Sequence, residues 1–366
     1  MRNRVQHLYV HIPFCHRICP YCSFHKHTPG STDIAAFVDA LLKEATGHDW
    51  QPRTVFFGGG TPTMLSDTHL ARLLSGLRDR IDLSQVTEYT LEANPRTITA
   101  SKAALMREHG VTRVSLGVQA WDQPTLHTLG RDHTPAEAEE TWQLLRAADF
   151  PSLSLDVMFS IPGQKIETWR ETLEKSLQLA PDHLSAYNLN FEEDTDFFRR
   201  LQKGEYRTDE DRDATFFALA ADLLESRGYE HYEISNYALP GHRSQHNEAY
   251  WLGADYAGIG PGAFSTLAGR RWKNIADTDL YIARTLAGES TVTDLEELTP
   301  ENRRTERFGL ELRTARGLPQ HLIAPQARTM LETLRDQGLL IIADDHIRLT
   351  RAGKPLVDPI AVALMS

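Results

Sequence analysis

Between residues 8 and 190, short runs of β-branched and aromatic residues alternate with stretches of helical periodicity, and this alternation limits the possible folds more than any other feature of the chain. The apolar runs predict strands at Leu8–Phe14, Thr54–Phe57, Glu88–Ala93, Arg113–Gln119, Ser152–Phe159 and Leu184–Asn190, with helices near 32–46, 67–79, 101–109, 135–148 and 167–179. Ser66 and Thr134 stand where N-caps belong, since a short side-chain oxygen there accepts a backbone N–H of the first turn. Gly110 stands where the third helix should stop. Repetition of this kind builds βαβ units and a parallel sheet, an α/β fold. Six strands suit either an open doubly wound sheet or a partial (β/α) barrel. In both, functional groups collect at the carboxyl ends of the strands.

The residues at those ends are polar. Three cysteines follow the first strand, Gly58, Gly59 and Gly60 end the second, Glu92 and Asn94 the third, and Gln119 the fourth. Asp156 lies in the fifth strand and Asn190 ends the sixth. Any strand end that meets a loop tends to be polar, but the whole set would converge on one mouth. Beyond residue 190 the rhythm loosens into a helix near 209–227, a strand and turn in GYEHYEISNYA (228–238) and a Gly-rich aromatic stretch at 240–272. Thr299-Pro300 then opens a helix to about Leu312, and a second runs from about Pro325 to Gln337. Two short strands, Leu339–Ala343 and His346–Leu349, and a helix at about 356–365 complete a winged-helix-like α+β module.

The net charge of −11 argues against a general polyanion partner, so nucleic acid is not expected. No run approaches the roughly 18 apolar residues of a membrane span, and no apolar h-region follows the early arginines. The expectation is a cytoplasmic protein with no membrane span.

All three cysteines lie in HIPFCHRICPYCSF, spaced Cys-x3-Cys-x2-Cys at Cys15, Cys19 and Cys22. An odd, tightly clustered set is no disulfide framework and points to a metal or redox role. Zinc needs a fourth ligand, which His11, His16, His25 or His27 can supply as a Cys3His site. A [4Fe–4S] cluster on three thiolates instead leaves one iron without a protein ligand, open to an exchangeable one. Spacing alone leaves both readings open.

The cysteine loop, with Tyr21 before its third cysteine, resembles the signature of radical S-adenosylmethionine (SAM) proteins. FFGGGTPTML (56–65), LEANP (91–95), SLGVQAWDQPTLHTLGRDH (115–133), SLDVMFSIPGQ (154–164) and SQHNEAYW (244–251) continue the likeness. They are similar to the branch that contains the oxygen-independent coproporphyrinogen III oxidases and the HemW-type heme chaperones. The resemblance implies a partial (β/α)6 barrel of the radical SAM type with a small C-terminal winged-helix-like α+β domain. It implies a [4Fe–4S] cluster on Cys15, Cys19 and Cys22, with SAM on the open iron. One electron from such a cluster can split the sulfonium, a chemistry that belongs to the cofactor. The implied SAM contacts are Tyr9, Tyr21, Gly59, Gly60, Thr61, Glu92, Gln119, Arg131, Asp156 and Asn190. Glycine lets backbone approach a ligand closely, although Gly-Gly-Gly-Thr-Pro also reads as a tight turn. Arg131 suits a carboxylate and Asp156 a ribose hydroxyl.

Position 24 separates the branches. The porphyrinogen oxidases carry a further cysteine there; this chain has Cys22-Ser23-Phe24, which resembles the chaperones apart from Ser23, where aspartate is more usual. His246-Asn247-Glu248-Ala249-Tyr250-Trp251 fits the chaperones' HNxxYW motif. His246, Tyr250 and Trp251 are therefore heme candidates, with the motif as a packed turn the structural alternative. The implied domains are a core at 1–240, a connecting segment with the motif at 241–298 and a C-terminal domain at 299–366. That last domain is expected to cover the barrel mouth, meet a partner or help form the heme cleft. The implied function is a role in porphyrin metabolism: heme binding and transfer to an acceptor protein, with a reductant as electron donor. Oxidation of coproporphyrinogen III or another tetrapyrrole, or a zinc-stabilised binding module, are the alternatives.

Overall fold

The computed structural model describes residues 4–365, so positions 1–3 of the expected first domain and position 366 of the last lie outside the described residues. The barrel elements are β1 (Val5–Ile12), α1 (Ile34–Glu44), β2 (Trp50–Gly59), α2 (Asp67–Arg78), β3 (Glu88–Ala93), α3 (Ala100–Glu108), β4 (Arg113–Gln119), α4 (Gln123–Thr128), α5 (Pro135–Ala147), β5 (Ser152–Phe159), α6 (Ile166–Gln178) and β6 (His183–Asn188). Next come α7 (Asp196–Gln202), α8 (Glu210–Glu225), β7 (Glu230–Glu233), β8 (Asn236–Ala238), α9 (Gln245–Trp251), β9 (Ala257–Ile259), β10 (Phe264–Leu267), β11 (Arg270–Asn274), α10 (Thr278–Ala287) and β12 (Val292–Glu297). The chain closes with α11 (Pro300–Glu311), β13 (Leu318–Pro319), α12 (Arg328–Asp336), β14 (Leu340–Ala343), β15 (His346–Leu349) and α13 (Val357–Met365).

Strand order settles what periodicity left open. β1 to β6 pair in sequence order, every pair parallel. A doubly wound sheet reverses its order at a switch point. Here there is no reversal, so right-handed crossovers place all the helices on one face and the sheet curls over the other. The result is a partial (β/α)6 barrel. β9 extends it in parallel beside β1, and the β7–β8 hairpin extends it antiparallel beside β6.

The period-two alternation of each strand sorts its residues between the two faces. Leu8, Val10 and Ile12, Val55 and Phe57, Val114, Leu116 and Val118, and Leu153 and Leu155 are buried with Phe37, Leu41, Leu73, Leu77 and Trp142 from the helices. Each such aliphatic contributes roughly 1.5–3 kcal/mol by leaving water. The alternate positions carry His7, Tyr9, His11, Thr54, Phe56, Glu88, Glu92, Ser115, Asp156, His183 and Ser185. The barrel interior is therefore polar and aromatic. The N-caps hold as expected: Ser66 accepts the His69 N–H, and Thr134 forms a reciprocal capping box with Glu137.

The expected connecting segment, 241–298, contains real elements. Besides β9, it supplies α9, α10 and the antiparallel sheet β10–β11–β12. α9 stoppers the amino end of the barrel. Its first turn is held by Glu88, which is buried and accepts the N–H groups of Gln245 (2.8 Å) and His246 (3.0 Å). Glu88→Ala leaves the His246 N–H buried and unsatisfied and strips the Gln245 N–H of its acceptor, and should lower unfolding free energy by about 1–3 kcal/mol. Chemical denaturation checks this, with Glu88→Gln, which keeps one acceptor, expected to lose less.

The C-terminal module packs α11, α12 and α13 on the small sheet β13–β15–β14, around Phe308, Leu331, Ile347 and Leu364. It docks on the β7–β8 hairpin, where Arg313 donates to buried Glu233 at 2.9 Å and the Ala315 N–H donates to the Tyr232 carbonyl at 2.8 Å. Among the described residues, no helix is long and apolar enough to cross a membrane.

Candidate functional site

The cysteine loop leaves β1 at Pro13 and returns beside it. The Cys15 N–H donates to the His27 carbonyl (3.0 Å) and the His27 N–H to the Pro13 carbonyl (2.8 Å), closing the loop on itself. Pro20 packs against Gly130, where a Cβ would come within 2.6 Å of the proline ring. All three cysteines are free, partly buried, and on the wall of a cavity of about 400 Å³ at the carboxyl ends of the strands. Burial pushes the Cys15 thiol up to about 11, opposed by the Thr61 hydroxyl 3.7 Å from its sulfur.

Two of the four histidines considered for a Cys3His site have both ring nitrogens engaged. His11 Nε2 donates to the His25 carbonyl (2.9 Å), so its Nδ1 accepts the Tyr9 hydroxyl (3.0 Å). His27 is bonded to the Thr28 carbonyl and the Thr278 hydroxyl. Among the described residues, no three His, Cys, Asp and Glu side chains are gathered closely enough to hold a single metal ion.

The sequence residues brought together on this cavity are Tyr21, Gly59, Gly60, Thr61, Glu92, Gln119, Arg131, Asp156 and Asn190, with Phe24 at its rim, 64% exposed. Tyr9 is not on its wall. The glycines there are also required by packing. A Cβ on Gly59, whose φ is +106°, would lie 2.4 Å from the His11 ring, and one on Gly60 would lie 2.7 Å from the backbone at Pro13 and Phe14. They let β2 run against the cysteine loop, with the Gly60 N–H donating to the Ile12 carbonyl (2.7 Å) and the Thr61 N–H to the Phe14 carbonyl (2.8 Å). Gln119 is a non-glycine residue at φ +70°, in the sparsely populated left-handed region, at the end of β4.

Register fixes the electrostatics. Glu92 pairs across the sheet with Ser115, and Asp156 with Gly117 and Ser185. Both acids thus point into the same interior. The Ser115 hydroxyl contacts both oxygens of Asp156, at 2.9 and 3.0 Å. Burial, reinforced by the nearby Asp156 charge, raises the Glu92 carboxyl to about 8, and burial raises Asp156 as well. Among the described residues no cation makes an ion pair with either, although the Arg113 charge opposes the rise at Asp156. Arg131 instead donates to the Gly117 carbonyl (2.6 Å) and toward Cys19 Sγ (3.7 Å), and its Nε has no partner. Asn188, absent from the sequence reading, lines the same wall with its Oδ1 buried and unpartnered. Its position at the end of β6 was the available signal; Asn190, two residues on, lies on the same wall and is exposed.

The HNxxYW residues lie elsewhere. His246 is buried at the amino end of the barrel, its Nδ1 2.8 Å from Thr54 Oγ1 and its ring stacked on Phe56 at 5.1 Å. Thr54 Oγ1 also meets His7 Nδ1 at 2.9 Å. Tyr250 is 47% exposed and Trp251 half-buried on the far side of α9. Among the described residues, none beyond Glu192 lines the cysteine cavity, so the described part of the C-terminal module does not cover that mouth.

Residues 9–176 match the Radical SAM superfamily. The chain is 35% identical over 320 residues to the heme chaperone HemW of Lactococcus lactis, spanning 87% of this chain and 84% of that protein. It is 32% identical over 363 residues to the heme chaperone HemW of Bacillus subtilis, spanning 95% and 96%. Its fold is similar to that of coproporphyrinogen III oxidase (HemN) from Escherichia coli, a radical SAM enzyme, with a TM-score of 0.85 at 21% identity over 99% of this chain and 91% of that one.

Proposed function

We propose, for a chain that belongs to the radical SAM superfamily and within it to the HemW group of heme chaperones, that it binds heme and passes it to an acceptor protein. In this reading Cys15, Cys19 and Cys22 hold a [4Fe–4S] cluster, and SAM completes the shell of the iron they leave open. The observation that carries the cluster half is that three thiols share one cavity with two half-buried carboxylates that form no ion pair among the described residues. The donor set fits: the thiols are not gathered round one point, as a single ion needs, and a cuboidal cluster takes each thiolate on a different iron. When bound, cluster and SAM together supply a one-electron reductant facing a sulfonium.

The chain's own residues do the positioning. Glu92 and Asp156 favour a ligand carrying positive charge, as SAM does at its ammonium and sulfonium groups. Arg131, with a free Nε, and Asn188, with a free Oδ1, offer a donor and an acceptor to the ligand's polar groups. The heme half rests on the likeness to HemW proteins over most of the chain and on Phe24 in place of the oxidases' further cysteine. Three free thiols suit a reducing compartment, consistent with a cytoplasmic protein served by a cellular reductant. In this reading the chain divides into a core at 1–240, a connecting segment at 241–298 and a C-terminal domain at 299–366.

Anaerobic reconstitution followed by heme titration tests the assignment. Saturable heme uptake, with coproporphyrinogen III left unconsumed in the presence of reductant and SAM, is expected. Porphyrinogen turnover at a useful rate would overturn the chaperone half. A pH series adds a second test. Binding a cation favours ionised Glu92, so below about pH 8 binding releases a proton, and SAM affinity should tighten as pH rises toward 8. The limit is about tenfold per pH unit. Equilibrium dialysis should show that slope in the native protein and a flatter one in Glu92→Gln.

A further inference from the structure

A second cavity of about 310 Å³ opens between α9 and α11, away from the cysteines. Trp251, Leu298 and Leu310 form its apolar wall, and Arg303, Arg307 and Arg316 its polar one. The acids on that wall are already engaged. Glu306 is spanned by Arg271 through bonds of 2.5 and 3.0 Å, Glu311 is held by Arg307, and Asp255 accepts the Ala268 N–H at 2.9 Å. Arg303 and Arg316 are exposed, and neither guanidinium has a partner among the described residues. Arg303 lies over the β10–β11 turn, where Ala268 and Gly269 are both left-handed; a Cβ on Gly269 would sit 2.8 Å from Arg303 Nη2.

Two unneutralised guanidinium groups beside an indole stand apart in a chain of net charge −11. Each is a planar fork matched to a carboxylate, and an indole face takes a flat apolar ring. Together they select one class of ligand: a conjugated planar macrocycle bearing carboxylates along one edge. We infer that this cavity holds the carboxylate edge of a tetrapyrrole, with Arg303 and Arg316 taking the carboxylates and Trp251 lying against the ring. The inference rests on the heme reading above and places that ligand on the α9 side of the barrel. A volume of 310 Å³ takes an edge of the macrocycle. The remainder lies over exposed Tyr250, open to solvent and to an acceptor. His246 is then a positioning residue, its ring turned inward on Thr54 and Phe56 to seat α9.

Heme and metal-free protoporphyrin titrations of the full, reconstituted chain test this. Arg303→Gln and Arg316→Gln should each weaken binding roughly tenfold, and the pair by about a hundredfold. Arg328→Gln/Arg335→Gln, which removes two exposed charges from α12 of the same module, should leave binding unchanged. Protoporphyrin dimethyl ester should bind the native chain as weakly as the free acid binds the Arg303→Gln/Arg316→Gln pair. Iron content and melting temperature should match the native protein throughout. Native-like affinity in that pair, or ester and free acid binding equally, overturns the inference while leaving the chaperone reading standing. Absence of any heme uptake by the native chain removes that reading and this inference together.

Discussion

Replacing Cys19 with alanine is expected to abolish the visible absorption that anaerobic reconstitution with iron and sulfide gives the native chain, and to reduce bound iron from about four per chain to near zero. Three thiols are the sulfur donors on that cavity, and His11 and His27 are engaged in bonds of their own. Two thiolates do not retain a four-iron cube. Cys19 is only partly buried, so its loss should leave the fold of the metal-free chain intact. Thr61→Val is the matched comparison: it removes the hydroxyl 3.7 Å from Cys15 but none of the thiols, and should retain the cluster. Cluster absorption that survives in Cys19→Ala would sink the ligand assignment. So would stoichiometric zinc in a native chain with no capacity for iron.

Acidification from pH 7 to pH 5 is expected to cost the fold several kcal/mol, through histidines buried in neutral form. Burial lowers His231 and His246 to about 3 and His11 and His133 to about 4, and holds His183 well below its usual value. Their unfolded counterparts take up a proton below about pH 6.5. Between that value and the folded ones, the unfolded chain binds more protons, so stability falls as pH falls. At pH 5 each of the four groups brought to about 3 or 4 accounts for about 2 kcal/mol, and His183 acts in the same direction. Glu92 acts in the opposite sense, since its raised carboxyl keeps a proton in the folded state up to about 8, and it offsets about one of the four. A net loss on the order of 5 kcal/mol is large beside the marginal stability of a typical domain. Urea midpoints at the two pH values measure it, and equal midpoints would contradict the burial argument. The contact of His231 Nδ1 with Glu225, at 3.7 Å, gives no ion pair to protect against this, because burial keeps the ring uncharged.

The repeating part of the fold was legible because its strands carry their own signal. Glu88–Ala93, Arg113–Gln119 and Ser152–Phe159 were readable to the residue, each being a buried run between turn residues. β1 ends at Ile12, short of the expected Phe14, where Pro13 brings no N–H to the ladder. β2 starts earlier than expected, at Trp50, because its first residues alternate with polar ones. The segment from 240 to 298 was opaque for a different reason. Its elements are as short as the three residues of β9 and draw stability from neighbours far away in sequence, such as Glu88 for α9 and β1 for β9. At the site, most wall residues were visible as strand-end polar groups. The placement of His246 was not, because a motif specifies residue types and not the direction in which a helix presents them.

With the amino end of the barrel stoppered by α9, the cysteine mouth and the outer side of that helix are separate surfaces, and β1 alone spans roughly 25 Å between the two ends. Molecules engaged at the two ends do not compete for space, so a ternary complex is sterically permitted and order of addition need not matter. On the proposed reading, events at the cysteine mouth and on the α9 side can then proceed on independent clocks.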